Sequence, residues 1–124
     1  MNFQIAGVPE AVAKAREAAS KIAARWVSDE ATLETIELLV SELVTNGIVH
    51  GATGRPVEVS VEPRDNRLHV EVRDLGPGFV PEPRAMASEG MGGFGLFLVE
   101  RLAERWGVAR DGATRVWFEL AGAR

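Results

Sequence analysis

Two neighbouring segments in which apolar and polar residues strictly alternate constrain the fold of this chain most. Residues 57–61 read Val-Glu-Val-Ser-Val, and residues 68–72 read Leu-His-Val-Glu-Val. A period of two predicts strands with one apolar and one polar face. The segment 63–66, Pro-Arg-Asp-Asn, lies between them and predicts a β-hairpin turn. The chain therefore contains an antiparallel sheet that needs a cover on only one face.

Two long segments with apolar residues every three or four positions can supply that cover. The first follows Pro9, which suits a first helical turn, and extends to Trp26. The second begins after the capping residues 28–29, Ser-Asp, and is predicted to end at Gly47 and Gly51. Both segments therefore predict amphipathic helices.

A third helix and three more strands complete the pattern. The helix is predicted over 96–106, with Gly107 ending it, and strands are predicted over 2–6, 108–110 and 116–120. The resulting order is β-α-α-β-β-loop-α-β-β. It predicts an α+β fold, a two-layer α/β sandwich in which three helices cover one face of a mixed, mostly antiparallel sheet.

Length and composition favour one domain that spans residues 1–124. The absence of cysteine excludes disulfides, thiolate zinc sites and cysteine nucleophiles. Eighteen acidic against fourteen basic residues, a net charge of −4, argue against direct nucleic-acid binding. No run of about 18 apolar residues indicates a membrane span, and residues 1–4 lack a signal-peptide layout. We therefore expect a cytoplasmic protein that binds neither nucleic acid nor membrane.

The first candidate for chemistry lies late in the second helix. Glu42 and Asn46 are four residues apart, so both side chains lie on one strip of the helix surface. A carboxylate and an amide oxygen one turn apart could hold a water and a hard cation such as Mg²⁺. The alternative is a solvated Glu42 and an Asn46 that serves only the helix end.

The second candidate directly follows the strand over 68–72. Asp74 is followed by Gly76 and Gly78. A carboxylate at a strand end can accept a hydrogen bond from an exocyclic amine, and glycines let a flat ring approach the backbone. The alternative is an ordinary Asp-x-Gly turn.

The third candidate is the glycine-rich start of the third helix, Gly90-Met-Gly-Gly-Phe-Gly-Leu96. Exposed backbone N–H groups at a helix start favour phosphate. The spacing also spells a dinucleotide-binding fingerprint, but we reject that match because no strand runs into it and no βαβ unit surrounds it. The functional interpretation of this segment is therefore a phosphate-binding site at the start of the third helix.

Together these clusters resemble the ATP-binding domain shared by gyrase, Hsp90, histidine kinases and MutL, the Bergerat fold. The resemblance extends from about Pro9 to Leu120 and is greatest to the small anti-sigma factor serine/threonine kinases. The segments similar to the family's motifs are, in chain order, Glu42-x-x-x-Asn46, Asp74-x-Gly76-x-Gly78, Gly93-x-Gly95-Leu96 and Gly112-x-Thr114-x-Val116-x-Phe118.

The resemblance implies a role for each matching residue, with ATP and Mg²⁺ as cofactors. Glu42 would be the general base, and Asn46 would coordinate Mg²⁺ at the phosphates. Asp74 would accept a hydrogen bond from the adenine amine, and residues 79–92 would form a mobile ATP lid. The other residues implied to bind the nucleotide are Gly76, Gly78, Gly93, Gly95, Leu96 and Thr114.

Two departures from the family pattern bear on activity. Gly47 occupies a position where the family usually has alanine, at a cost of about 1 kcal/mol in helix propensity. Relatives commonly place a basic residue in the lid or in the third motif, whereas 85–95 contains no Lys or Arg and Arg84 is the nearest candidate. Because phosphoryl transfer depends on charge neutralisation, this weakens the prediction of catalysis more than the prediction of binding.

The resemblance implies a kinase that phosphorylates an anti-anti-sigma protein, holds a sigma factor and forms a homodimer. Two alternatives stay open. One is a nucleotide-gated module that binds a partner with little kinase activity. The other is the catalytic ATP-binding part of a sensor histidine kinase or a small ATPase.

Overall fold

The computed structural model describes residues 1–50, 54–74, 94–110 and 113–123. The predicted order of helices and strands is confirmed. In chain order the elements are strand β1 (Asn2–Ile5), a 3-10 turn (Pro9–Ala11), helix α1 (Val12–Ala23), helix α2 (Glu30–His50), strands β2 (Val57–Arg64) and β3 (Arg67–Asp74), helix α3 (Phe94–Leu102), and strands β4 (Arg105–Arg110) and β5 (Thr114–Ala121).

The five strands form one sheet in the order β1-β2-β3-β5-β4. Each of its four pairings is antiparallel, so the sheet is uniform where a mixed one was expected. The apolar residues of β2, β3 and β5 form a single core with α1, α2 and α3. On α1 the fully buried residues are Ala15, Ala19 and Ala23, whose small side chains let the helix pack closely. The predicted α+β sandwich is confirmed.

Two local signals act as their residue types predict. Asp65 and Asn66 have φ angles of 50° and 66°, as the two central residues of a type I′ hairpin turn require, and they join β2 to β3. Asp29 caps α2, because its Oδ2 accepts a hydrogen bond of 3.1 Å from the Thr32 backbone N–H.

The predicted end of α2 at Gly47 is wrong, since the helix continues through this glycine to His50. Gly47 is buried against β2, where a side-chain carbon would lie 3.5 Å from a methyl of Val57. Packing against the sheet therefore outweighs the low helix propensity of glycine. Although α2 is 21 residues long, no helix in the described ranges is apolar enough to cross a bilayer.

The predicted boundary between α3 and β4 is also wrong. The helix ends at Leu102, and Trp106 and Gly107 belong to β4, opposite Phe118 and Trp117 of β5. The apolar spacing from 96 to 106 fits a helix, but pairing with β5 satisfies the backbone groups after residue 104. This non-local pairing has no local sequence signal.

The face of the sheet that is turned away from the helices carries polar side chains packed around Trp117. The His69 ring stacks on the indole at a centroid distance of 5.3 Å, and His69 Nδ1 lies 2.8 Å from Glu119 Oε2. On β4, Gly107 lies so close to the indole that a side-chain carbon there would clash with it. Trp117 is therefore half-buried by its own sheet.

Candidate functional site

A small cavity lies where the C-terminal half of α2 crosses the ends of β3 and β5. Its volume is about 10 Å³, enough for about one water molecule and too small for a ring. Three predicted site residues from three separate elements meet there. Its lining consists of Leu43, Asn46, Gly47, Val72, Asp74, Thr114 and Val116.

Strand register brings Asp74 and Thr114 together. The two residues are direct partners across β3 and β5. Asp74 lies two positions after Val72, and Thr114 lies two positions before Val116, so both side chains point to the helix-covered face. They are 3% and 2% exposed. Polar groups thus occupy two positions that the strand pattern assigns to the core.

Asn46 faces the same cavity from α2. It is 3% exposed, and within the described part of the chain its Oδ1 has no hydrogen-bond partner. Leaving a buried oxygen without a partner costs about 1–3 kcal/mol, so a ligand that satisfies it is favoured.

An amide oxygen is a suitable ligand for Mg²⁺, which uses few protein groups and completes its shell with water and phosphate. The described residues contain no group of three or more acidic or histidine side chains that could hold a metal without such help. The donor set therefore fits a cation that arrives with a phosphate ligand.

Unlike Asn46, Asp74 and Thr114, the predicted site residues Glu42 and Leu96 do not line the cavity. Glu42 is half-buried on α2, one turn before Asn46, and does not line the cavity. Leu96 is fully buried, and its side chain packs in the main apolar cluster. A nucleotide contact by Leu96 would therefore use its backbone. Gly95 lies in the first turn of α3, where backbone N–H groups lack partners within the helix.

Several predicted elements fall outside the described residues. These are Gly76, Gly78, Gly93, Gly112 and the lid over 79–92. Their roles stay predictions.

The sequence analysis gives no binding role to four of the lining residues, Leu43, Gly47, Val72 and Val116, although Val116 lies in the fourth motif segment. Position relative to the polar residues could have identified them. Gly47 adjoins Asn46, and each valine lies two positions from a polar residue on the same strand face.

Comparison with known proteins identifies the family to which this chain belongs. The family model of the histidine kinase-like ATPase domain matches residues 5–120. The serine-protein kinase RsbW of Listeria innocua serovar 6a is 32% identical over 118 residues, covering 84% of this chain and 75% of that protein. RsbW of Listeria monocytogenes serotype 4a gives the same identity and coverage.

One solved structure supports the fold alone. The crystal structure of full-length ShkA in complex with AMPPNP has a TM-score of 0.59 and 22% identity, covering 94% of this chain and 31% of that chain. A low identity with a shared fold carries no statement about activity. The family match and the RsbW relatives, by contrast, establish that this chain belongs to the histidine kinase-like ATPase domain family. The predicted resemblance is confirmed.

Proposed function

We propose that this protein binds ATP with Mg²⁺ and phosphorylates a serine or threonine of an anti-anti-sigma protein, as an anti-sigma regulatory factor that also holds a sigma factor. The observation that carries the proposal is the convergence of Asn46, Asp74 and Thr114 on one buried cavity. The similarity to two RsbW proteins, which are serine-protein kinases, supports the choice of reaction.

Different residues of the site would bind the adenine and the magnesium ion. Asp74 would accept a hydrogen bond from the adenine amine, with Thr114 beside it on β5. Because the cavity holds only about one water, the purine ring would lie outside it and direct its polar edge inward. Asn46 Oδ1 would bind Mg²⁺, and the ion would neutralise charge on the phosphates.

In the transfer step, the substrate hydroxyl oxygen would attack the γ-phosphorus. A new O–P bond forms, the bond to the β,γ-bridging oxygen breaks, and ADP leaves. Glu42 would accept the hydroxyl proton as general base. Its half-buried position one turn from Asn46 leaves it accessible to a protein substrate that approaches this helix.

The test is a transfer assay with labelled ATP, Mg²⁺ and a candidate anti-anti-sigma domain. We expect Glu42→Gln to lower transfer by about 100-fold or more, with ATP affinity little changed. Asn46→Ala is expected to weaken binding of ATP with Mg²⁺. Glu34→Gln, at an exposed carboxylate on the same helix, is the matched control. Full transfer by Glu42→Gln would rule out Glu42 as the base.

A second candidate function is supported by the lack of Lys or Arg over 85–95. In that case the protein is a nucleotide-gated module that binds its partner and transfers little phosphate to it. The same assay separates the classes. Label on a partner serine supports the kinase, and retained ATP supports the binding module. Free phosphate alone indicates an ATPase, and label on a partner histidine indicates the catalytic part of a sensor kinase.

A further inference from the structure

The exposed face of α2 changes in character along the helix. Its first turns expose Glu30 and Glu34, as is usual for the face of a helix that lies in water. Further along, Leu38 and Val49 are 41% and 51% exposed, although both side chains are apolar. The C-terminal part of α2 therefore presents apolar surface where the start of the helix presents charge.

Helical spacing places both apolar residues on the same side of α2 as Glu42. Around the helix axis, Leu38, Glu42, Thr45 and Val49 lie within about 60° of one another, and we call these four residues the α2 strip. Along the axis, Leu38 lies about 6 Å before Glu42, and Val49 lies about 10 Å after it. The Thr45 hydroxyl donates a hydrogen bond of 2.7 Å to the Ser41 backbone oxygen, so it is satisfied within the helix. Glu42 is thus the one charged group of the α2 strip, with an apolar side chain on each side.

This arrangement suits a hydroxyl group that belongs to a polypeptide better than it suits a water molecule. Water would contact Glu42 and leave both apolar side chains in solvent. A polypeptide that brings a serine or threonine to Glu42 also covers the surface on both sides of it, and burial of apolar groups there stabilises the complex. In an extended segment, side chains two positions apart lie on one face about 6.6 Å from each other, close to the spacing of Leu38 and Glu42.

We infer that Leu38 and Val49 are positioning residues that hold a protein substrate over Glu42, and that this substrate carries an apolar side chain two residues from its phosphorylated serine or threonine. The inference rests on the proposed kinase function. Leu38 contacts that apolar side chain, and Val49 contacts the substrate on the other side of the hydroxyl. Neither residue lines the buried cavity of the candidate nucleotide site, so both act on the binding of the protein substrate and not on the binding of ATP.

Steady-state transfer kinetics with a recombinant anti-anti-sigma domain, ATP and Mg²⁺ test the inference. We expect Leu38→Gln and Val49→Gln each to raise KM for the domain at least about fivefold, with kcat within about twofold and ATP affinity unchanged. Both positions are exposed and glutamine is a good helix former, so the subunit keeps its fold. A higher KM at an unchanged kcat indicates lost substrate binding, which general damage to the fold does not reproduce.

Leu102→Gln is the matched control. Leu102 is the last residue of α3, is 44% exposed and lines a groove with Ala31 and Thr32 beside the first turns of α2. Its substitution should leave KM within about twofold of the wild-type value. The inference is overturned, and the kinase function stands, if Leu102→Gln raises KM as much as Leu38→Gln or if neither α2 variant changes KM. An unchanged KM together with weaker self-association of the α2 variants would assign the α2 strip to a second copy of the chain and also overturn the inference.

A double-mutant cycle tests the contact between Leu38 and the substrate. A substrate variant with alanine both two positions before and two positions after the phosphorylated residue lacks the apolar partner. Against this variant, Leu38→Gln should change KM by less than about twofold, because the contact is already lost. An undiminished KM effect against the alanine substrate would overturn the inference. A wild-type protein that transfers no label to the domain would instead refute the proposed function, and this inference with it.

Discussion

Gly47 is a position where one added methyl group should stabilise this protein. It lies three residues before the end of α2, inside the helix, where glycine costs about 1 kcal/mol relative to alanine. A Cβ atom there would lie 3.5 Å and 3.8 Å from the two methyls of Val57, an ordinary van der Waals distance. Among the residues that the structure describes, the substitution Gly47→Ala therefore meets no steric obstacle.

Two contributions set the expected gain. Helix propensity supplies about 1 kcal/mol, and burial of one methyl against Val57 adds up to about 0.8 kcal/mol. For 124 residues the entropy of unfolding is about 0.26 kcal/mol/K. We thus expect Gly47→Ala to raise the free energy of unfolding by about 1–2 kcal/mol and Tm by about 4–8 °C.

Urea and thermal unfolding measure this gain, with an unchanged urea m-value as the sign that the unfolded state is unaffected. Gly7→Ala is the control of opposite sign. Its Cβ would lie 2.2 Å from the backbone oxygen of Arg55, so the chain must shift and lose about 1–3 kcal/mol or more. A Tm of Gly47→Ala at or below the wild-type value would refute the reasoning.

Three other substitutions probe separate contacts. Gly107→Ala places a carbon 2.7–2.8 Å from Trp117 indole atoms; we expect a loss of about 1–3 kcal/mol and altered tryptophan fluorescence, and unchanged values would contradict this. Asp29→Ala should cost about 1 kcal/mol in urea unfolding, while Asp29→Asn keeps the cap. A hydrogen bond from Arg64 lowers the pKa of Glu62 below 4.5. The folded pKa is thus the lower one, so this stabilisation is present above about pH 4.5 and lost as pH falls through the folded value. Arg64→Ala should therefore destabilise more at about pH 7 than at about pH 3 in thermal melts.

Local signals predicted most of the fold because their causes are local. The alternation over 57–61 and 68–72 placed a hairpin, and the cap before α2 placed a helix start. The errors lie where distant contacts decide. Gly47 stays helical because β2 supports it, and Trp106 joins β4 because β5 lies opposite. Neither partner is visible within the window of residues that periodicity uses.

The candidate site was predictable in part. Helix spacing and strand position made Asn46 and Asp74 candidates, motif resemblance added Thr114, and the structure brings all three to one cavity. The size of the cavity and the burial of Asn46 depend on how α2 crosses the sheet, which spacing along the chain does not specify. Glu42 lies outside the cavity for the same reason.

The alternation of side chains along β3 and β5 offers a physical criterion for finding ligand-binding sites that needs no family resemblance. Strand alternation directs Asp74 and Thr114 to the apolar face, and helical spacing turns Asn46 toward it. Burying a polar group that lacks a hydrogen bond costs free energy, and a fold optimised only for stability would place valine or leucine at such a position. Three such positions converge on a single cavity from three elements. The proposed polar ligand would explain all three positions together, and Asn46 Oδ1, which has no hydrogen-bond partner among the described residues, is the atom that most needs it.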